Sequence, residues 1–131
     1  MAEHPDAALV RRVWEAMSRG QGETQRHAGH PDVTLSVRGS HRFAGEHKGH
    51  EGVGRWYRSM VEETGGTIRW EPEHLFVDGQ GHVIGVRRVI ADRNGKHLDA
   101  LGAFLYTIAD GRIVRTEHFE EDPEAFNDFW A

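Results

Sequence analysis

The sequence predicts an α+β fold in which a curved antiparallel sheet packs on N-terminal helices. Two segments carry apolar residues at helical spacing, and four later segments alternate apolar with polar residues. The dipeptides Asp78-Gly79, Asn94-Gly95 and Asp110-Gly111 separate the four later segments, and each is typical of a β-hairpin turn. Helices followed by such a meander are expected to gather on one face of the sheet. The 131 residues are predicted to form one domain, 1–131.

The first half of the chain is predicted to be mostly helical. Apolar residues recur every three or four positions over residues 7–19, which predicts the first helix. A short polar helix over 23–29 and a strand over 33–37 follow. Residues 38–48 are rich in Gly, His and Arg and are predicted to form a loop. The second long helix is predicted over 50–63.

The second half of the chain is predicted to be the meander and a closing helix. The four strands are predicted over 67–77, 82–92, 97–109 and 112–120. Pro72 indicates a bulge or an edge position in the first of them, because proline cannot donate to the ladder. Asp122 is the predicted N-cap of a short C-terminal helix that Pro123 begins, and its aromatic residues are expected to dock on the body.

Composition excludes several classes of function. The chain has no cysteine, which excludes a disulfide scaffold, a thiol nucleophile and thiolate-bound metal clusters. A formal net charge of −5 without a basic tract argues against nucleic acid as a partner. No apolar run approaches the roughly 18–20 residues of a membrane helix, and the polar N-terminus lacks signal-peptide features. We expect a cytoplasmic protein with no membrane contact.

Four local motifs together are similar to one known superfamily. They are Val13-Trp14-Glu15-Ala16-Met17-Ser18-Arg19-Gly20, Pro31-Asp32-Val33-Thr34-Leu35, Gly49-His50-Glu51-Gly52-Val53 and Asp110-Gly111-Arg112-Ile113-Val114. In this order they resemble the nuclear transport factor 2-like superfamily, and within it SnoaL-like and ketosteroid-isomerase-like proteins. The resemblance implies a cone-shaped sheet around an apolar pocket, and a homodimer formed through the outer face of the sheet.

The resemblance also implies where catalytic groups would lie. The three groups that ketosteroid isomerases need are replaced here, so that reaction is not expected. Epoxide hydrolases of this fold use an Arg on a middle strand, which Arg88 matches, and an acid on the last strand. SnoaL-like cyclases also carry an acid/base group on that last strand. His118 stands near that position.

Strand alternation gives a candidate acid/base group. Thr116, His118 and Glu120 share one face of their predicted strand, and Asp99 and Leu101 share a face of the preceding one. If the hairpin pairs these strands, both sets can lie on the same side. We therefore expect His118 to pair with Asp99 or Glu120, with Arg88 orienting a substrate oxygen. Histidine suits proton transfer because its ordinary pKa lies near neutrality. The alternative is that His118 is only a hydrogen-bonded structural residue and Asp99 an exposed one.

The pocket is expected to take a flat, hydrophobic, polyketide- or terpenoid-like molecule. The predicted substrate-binding residues are Trp14, Met17, Val37, Phe43, Trp56, Tyr57, Met60, Leu101, Thr116 and Glu120. The aromatic residues among them are also compatible with a plain core position. No cofactor is expected. The function predicted is cofactor-free isomerisation, cyclisation or hydrolysis, and the alternative is a non-catalytic homodimeric ligand-binding or assembly protein of the same fold.

The ten histidines do not by themselves predict a metal site. His27 and His30, and His47 and His50, have spacings that metal sites can use. No motif supplies the third and fourth ligands, and glycines surround both pairs. We expect no bound metal, and we expect every histidine except His118 to lie on the surface or in loops.

Overall fold

The computed structural model describes residues 3–19 and 28–131. The elements in chain order are α1 (Pro5–Ser18), β1 (Gly29–Val37), β2 (Gly45–Lys48), α2 (Gly49–Glu63), β3 (Arg69–Val77), β4 (His82–Arg93), β5 (Lys96–Ala109), β6 (Arg112–Glu120) and α3 (Pro123–Trp130). The prediction of two long helices, a meander and a closing helix is confirmed. Residues 23–27 of the predicted short polar helix lie outside the described residues.

The six strands form one curved, unclosed sheet in the order β2-β1-β6-β5-β4-β3. Neighbouring strands are antiparallel except β1 and β6, which pair in parallel. The sequence predicted an antiparallel sheet and a loop where β2 forms. β2 was missed because its four residues, Gly-Glu-His-Lys, are polar and show no alternation. The α+β prediction itself is confirmed.

The predicted turns shape the meander. Asn94 and Gly95 connect β4 to β5 with φ values of 50° and 76°, and Asp110 and Gly111 connect β5 to β6 with 52° and 74°. Two consecutive positive φ angles are typical of the hairpin turn whose twist matches the strands. Pro72 lies on β3, the edge strand, next to an irregularity in its register with β4, so both predictions for Pro72 are confirmed.

A β-bulge in the β5–β6 hairpin sets which side chains face inward. Ile108 is paired with Ile113, but Thr107 is paired with Arg115, so Val114 is the extra residue on β6. Beyond the bulge Phe104 lies opposite His118, and Gly102 lies opposite Glu120. A shift of one residue exchanges the two faces of a strand. The bulge therefore places β5 residues of even number on the inner face beside His118.

The helices cover the inner face of this sheet. α1 packs against β3 and β4, α2 against β1 and β2, and α3 against β5. Asp122 caps α3 by accepting a hydrogen bond from the Ala125 amide at 3.1 Å, and Phe126, Phe129 and Trp130 are buried, as predicted. In the described part of the chain no helix is both long and apolar enough to cross a bilayer.

Candidate functional site

A cavity of about 310 Å³ lies between the two long helices and the inner face of the sheet. This volume is at the lower end of the range for small-molecule sites, roughly 300–1,000 Å³. Its lining within the described residues is Val13, Met17, Gly29, Val33, Leu35, His50, Val53, Gly54, Trp56, Tyr57, Arg58, Phe104, Tyr106, Ile113, Thr116 and His118. No Asp or Glu is among these residues, so the lining combines an apolar wall with hydroxyl, imidazole and guanidinium groups.

His118 is at the buried end of this cavity. His118 is only 4% exposed, and its imidazole stacks on the Phe104 ring with the two ring centroids 3.9 Å apart. The Trp56 ring meets it edge-on at 5.2 Å. Within residues 3–19 and 28–131 no group forms a hydrogen bond with the imidazole nitrogens, although His118 lines the cavity. The imidazole is thus held by two aromatic rings and has hydrogen-bonding capacity to offer a ligand.

The surroundings of His118 favour its neutral form. Burial lowers the pKa of His118 well below its ordinary value, and the positive charge of Arg87 adds to this effect. His47, His41 and Arg38 act in the same direction but more weakly. Near neutral pH His118 is therefore an uncharged imidazole, which can donate one hydrogen bond and accept another.

A buried ion pair lies on the sheet next to His118. Arg87 on β4 donates to both carboxylate oxygens of Glu120 on β6, at 3.2 and 2.7 Å, and the two side chains are 1% and 8% exposed. The Arg87 guanidinium also lies over the Phe104 ring, 4.6 Å from its centroid. Glu120 therefore neutralises Arg87 and does not contact His118 as a carboxylate partner would.

Two glycines in strand interiors make this arrangement possible. Gly102 lies between Arg87 and Glu120 in the sheet, and a Cβ built there would be 2.3 Å from Arg87 Nη1. Gly85 is opposite Phe104, and a Cβ there would be 2.5 Å from the Trp14 ring. A glycine inside a strand often marks close approach of another group. Gly102 is opposite Arg87 in the β4–β5 hairpin, so a glycine inside this strand could have identified Arg87 from the sequence. From the sequence we selected Arg88 instead.

The structure corrects the predicted grouping of Arg88 and Asp99 with His118. Both residues lie on the outer face of the sheet, where Arg88 Nη1 and Asp99 Oδ1 form an ion pair at 2.8 Å. Their side chains are 38% and 49% exposed. Arg88 and Asp99 therefore contact each other and not the cavity. The bulge turns Asp99 and the other odd-numbered residues of β5 outward.

The predicted substrate-binding residues divide into three sets. Met17, Trp56, Tyr57 and Thr116 line the cavity. Val37, Phe43 and Met60 instead line a second space of about 10 Å³, which Trp56, Arg87 and His118 also border. Trp14, Leu101 and Glu120 line neither space, since Trp14 lies on Gly85, Leu101 is on the outer face and Glu120 is paired with Arg87.

Two tyrosines in the lining have hydroxyls engaged with the protein. Tyr57 donates to the Met17 carbonyl at 2.6 Å, which satisfies a carbonyl at the end of α1. Tyr106, which we did not predict, accepts a hydrogen bond from Trp14 Nε1 at 2.6 Å. Burial raises the pKa of both phenols, so both stay protonated at neutral pH. They fix α1 against α2 and the sheet.

Several histidines predicted to lie on the surface or in loops are partly buried, His47 and His50 among them. His47 and His50 each place Nε2 against a backbone carbonyl, at 2.9 Å from Phe43 and 2.8 Å from Gly29, and His50 lines the cavity. His27 lies outside the described residues. Over the described ranges, 3–19 and 28–131, no three His, Asp or Glu side chains are arranged to hold a metal ion.

Comparison with known proteins agrees with this architecture. Residues 10–116 match the SnoaL-like domain family. The uncharacterized protein Rv0034 of Mycobacterium tuberculosis (strain ATCC 25618 / H37Rv) is 37% identical over 131 residues, which cover 100% of both chains. The structure of Bal32a, from a soil-derived mobile gene cassette, superposes with a TM-score of 0.95 at 30% identity and 97% coverage of each chain. TerC co-crystallized with polyporic acid has a TM-score of 0.81 at 22% identity, covering 96% of this chain and 98% of TerC.

The curved sheet wrapped around helices, with a pocket on its inner face, is the fold class of nuclear transport factor 2-like proteins. Within that class the chain belongs to the SnoaL-like family. The superfamily resemblance stated from sequence motifs is thereby confirmed. Family and fold alone do not define a reaction, because this architecture carries unrelated activities.

Proposed function

We propose that this SnoaL-like protein binds a small, mostly apolar organic molecule in the 310 Å³ cavity and that His118 exchanges a proton with it. The observation that carries the proposal is the position of His118, an imidazole with unused hydrogen-bonding capacity at the buried end of an apolar cavity. Co-crystallization of TerC, which shares the fold, with polyporic acid supports a small organic ligand. The ligand would be polyketide- or terpenoid-like and would place an oxygen or an acidic C–H near His118.

The chemistry available to His118 follows from its neutral state. A neutral imidazole can donate a hydrogen bond to a carbonyl oxygen, or accept a proton from a carbon next to a carbonyl. Arg87 disfavours the imidazolium that proton transfer would form, and the charge of Arg87 itself is neutralised by Glu120. The imidazolium would instead lie beside the enolate it has formed, and the two opposite charges would stabilise each other. Enolisation, as in isomerisation or aldol-type cyclisation, is the reaction class that a neutral imidazole at this position can catalyse.

Exchange of a carbon-bound proton tests this role without knowledge of the natural substrate. With 1-tetralone in deuterated buffer, the wild-type protein should accelerate deuterium incorporation at the carbon next to the carbonyl. His118→Gln should lower the protein-catalysed rate by about 100-fold, the usual contribution of a positioned general base. NMR integration of that proton signal gives the rate. The wild-type rate should stay flat from pH 7.5 to 6.5, since the pKa of His118 lies below that window.

The control is His97→Gln, which removes an exposed histidine paired with Asp92 at 2.7 Å on the far end of β5. It should leave the exchange rate at the wild-type value. Exchange by His118→Gln at the wild-type rate would refute the proton-transfer role.

The alternative of a non-catalytic ligand-binding protein has one observation in its favour. No carboxylate contacts the imidazole of His118 within the described residues, so nothing there stabilises an imidazolium. In this alternative His118 only hydrogen-bonds the ligand. Wild-type protein that binds 1-tetralone in calorimetry but does not accelerate exchange would favour it.

We also propose that a second copy of the chain covers the outer face of the sheet. Phe76, Ile84 and Phe119 are 57%, 47% and 43% exposed. Phe76 is directly opposite Ile84, and Ile84 is opposite Leu105, so these three side chains form a continuous apolar row across β3, β4 and β5, while Phe119 lies on β6 opposite Ala103. An apolar patch of this kind usually marks an interaction surface.

Replacing Ile84 by Asp should convert a dimer into a monomer. A charge in the middle of an apolar interface loses its hydration on association and has no partner there. Light scattering after size exclusion should give twice the chain mass for the wild type and the single-chain mass for Ile84→Asp. Arg112→Asp, at the start of β6 and away from the apolar row, is the matched control and should remain dimeric. A wild-type chain that is monomeric at micromolar concentration would contradict the proposal.

A further inference from the structure

The mouth of the cavity carries a cation that the proposed proton transfer does not use. Arg58 on α2 is exposed and is nevertheless part of the cavity lining. Its guanidinium lies against Gly54, one turn earlier on the same helix, since a Cβ built at Gly54 would be 3.0 Å from Arg58 Nη1. Helical side chains lean toward the N-terminus of the helix, so residue 58 covers the turn at residue 54. The missing side chain of Gly54 leaves the space that Arg58 occupies.

Arg58 differs from the neighbouring arginine on the same helix. Arg55 forms an i,i+4 ion pair with Glu51 at 3.2 Å on the exposed side of α2. No carboxylate in residues 3–19 or 28–131 forms such a pair with Arg58. The described cavity lining also contains no Asp or Glu, while it includes His50 and His118 besides Arg58. A ligand in the cavity therefore meets positive and neutral groups, and among the described lining residues no carboxylate would repel a negative group on it.

In the part of the chain that the structure describes, the buried end of the cavity adds no carboxylate to the lining that would repel an anion. Burial is the main cause that lowers the pKa of His118, and Arg87, His47, His41 and Arg38 lower it further. Glu120 already neutralises Arg87, so the preference for a negative ligand is assigned to Arg58 at the mouth.

We propose that the cavity takes an anionic ligand, an apolar ring system bearing a carboxylate that binds Arg58 at the mouth. Guanidinium pairs well with carboxylate because its fork donates two parallel hydrogen bonds. The ring system then extends between α1 and α2 toward His118. This inference rests on the proposed use of the cavity for a small organic molecule. It adds the charge of that molecule and identifies Arg58 as the residue that binds the charged group.

Three naphthalene probes of matched shape test the charge preference. They are 2-naphthoate, neutral 2-naphthamide and the cation 2-naphthylmethylammonium, titrated into the 131-residue protein by calorimetry at pH 7.5. The wild type should bind naphthoate about fivefold more tightly than naphthamide, the effect expected of a charge pair at a partly exposed site. The cation should bind more weakly than both, and salt should reduce the preference for naphthoate.

Variants of α2 assign the preference to a residue. Arg58→Gln should reduce naphthoate affinity to that of naphthamide without changing naphthamide binding, while Arg58→Lys should keep part of the preference. Arg55→Gln is the matched control and should behave as the wild type. Glutamine and arginine have similar helix propensities, so the variants should stay folded.

The outcomes separate the two proposals. Equal affinity of the wild type for naphthoate and naphthamide, or an unchanged preference in Arg58→Gln, would overturn the assignment of Arg58 and leave the ligand cavity standing. Failure of all three probes to bind would overturn the cavity as a ligand site, and the anionic-ligand inference with it.

Discussion

Glu120→Gln should lower the free energy of unfolding by about 3 kcal/mol, the lower end of the cost of leaving a buried charge without its partner. Glu120 accepts two hydrogen bonds from Arg87, and the Arg87 side chain is 1% exposed. A glutamine of the same shape keeps one acceptor but leaves the guanidinium charge uncompensated in a place that water does not reach. Denaturant unfolding followed by the fluorescence of the four tryptophans measures the change.

Two further variants show whether the charge is the cause. Asp99→Asn breaks the exposed pair with Arg88 on the outer face and should leave the unfolding midpoint close to wild type, because solvent already screens that pair. The double variant Arg87→Met, Glu120→Met removes both charges and should recover much of the stability lost in Glu120→Gln. This account would be contradicted if Glu120→Gln were as stable as the wild type, or if the double variant were less stable than Glu120→Gln.

Gly102→Ala should destabilise the fold by about 2–3 kcal/mol, as expected for forcing a methyl group into a filled interior. The added Cβ would lie 2.3 Å from Arg87 Nη1, 2.7 Å from the Phe119 carbonyl oxygen and 2.9 Å from Glu120 Oε1. The Phe119 oxygen is backbone and cannot move without distorting β6, the strand that carries His118. We therefore expect lower stability together with weaker probe binding in the cavity, both measurable on the same purified variant.

Gly52→Ala is the matched control for this substitution. Gly52 lies in α2, and the nearest atom to a Cβ there is the His47 carbonyl carbon at 3.5 Å, an ordinary contact. Alanine in a helix is more favourable than glycine by about 1 kcal/mol, so this variant should be as stable as the wild type or more so. If Gly102→Ala were as stable as Gly52→Ala, the close packing described around Gly102 and Arg87 would be contradicted.

Much of the fold could be predicted because its signals are local. Positive φ angles at Asn94-Gly95 and Asp110-Gly111, the edge position of Pro72 and the cap at Asp122 each depend on a few neighbouring residues. Helical spacing in the two long helices is equally local. The strand β2 was missed because its four polar residues show no alternation. The parallel pairing of β1 with β6 was missed because it depends on contacts between residues far apart in the chain.

The candidate site was predicted only in part. His118, Trp56, Tyr57, Met17 and Thr116 were chosen from strand and helix alternation and lie in the cavity lining. For the arginine near His118, we chose from the sequence the residue that follows the correct one. Arg88 was selected by family resemblance, whereas Arg87 is the one that faces inward. Arg58 was not identified, because an arginine on an amphipathic helix is ordinarily assigned to its solvent face.

The sequence by itself determined the long helices, the four strands of the meander, their turns and the alternation that places His118 and its neighbours Glu117 and Phe119 on opposite faces of β6. Which residues meet His118 was decided by the tertiary structure. Both faces of β5 are apolar, with Leu101 and Leu105 on one and Phe104 and Tyr106 on the other, so hydrophobic pattern cannot choose between them. A single extra residue at the β5–β6 bulge makes that choice, giving His118 the Phe104 ring as its neighbour and leaving Asp99 on the opposite face.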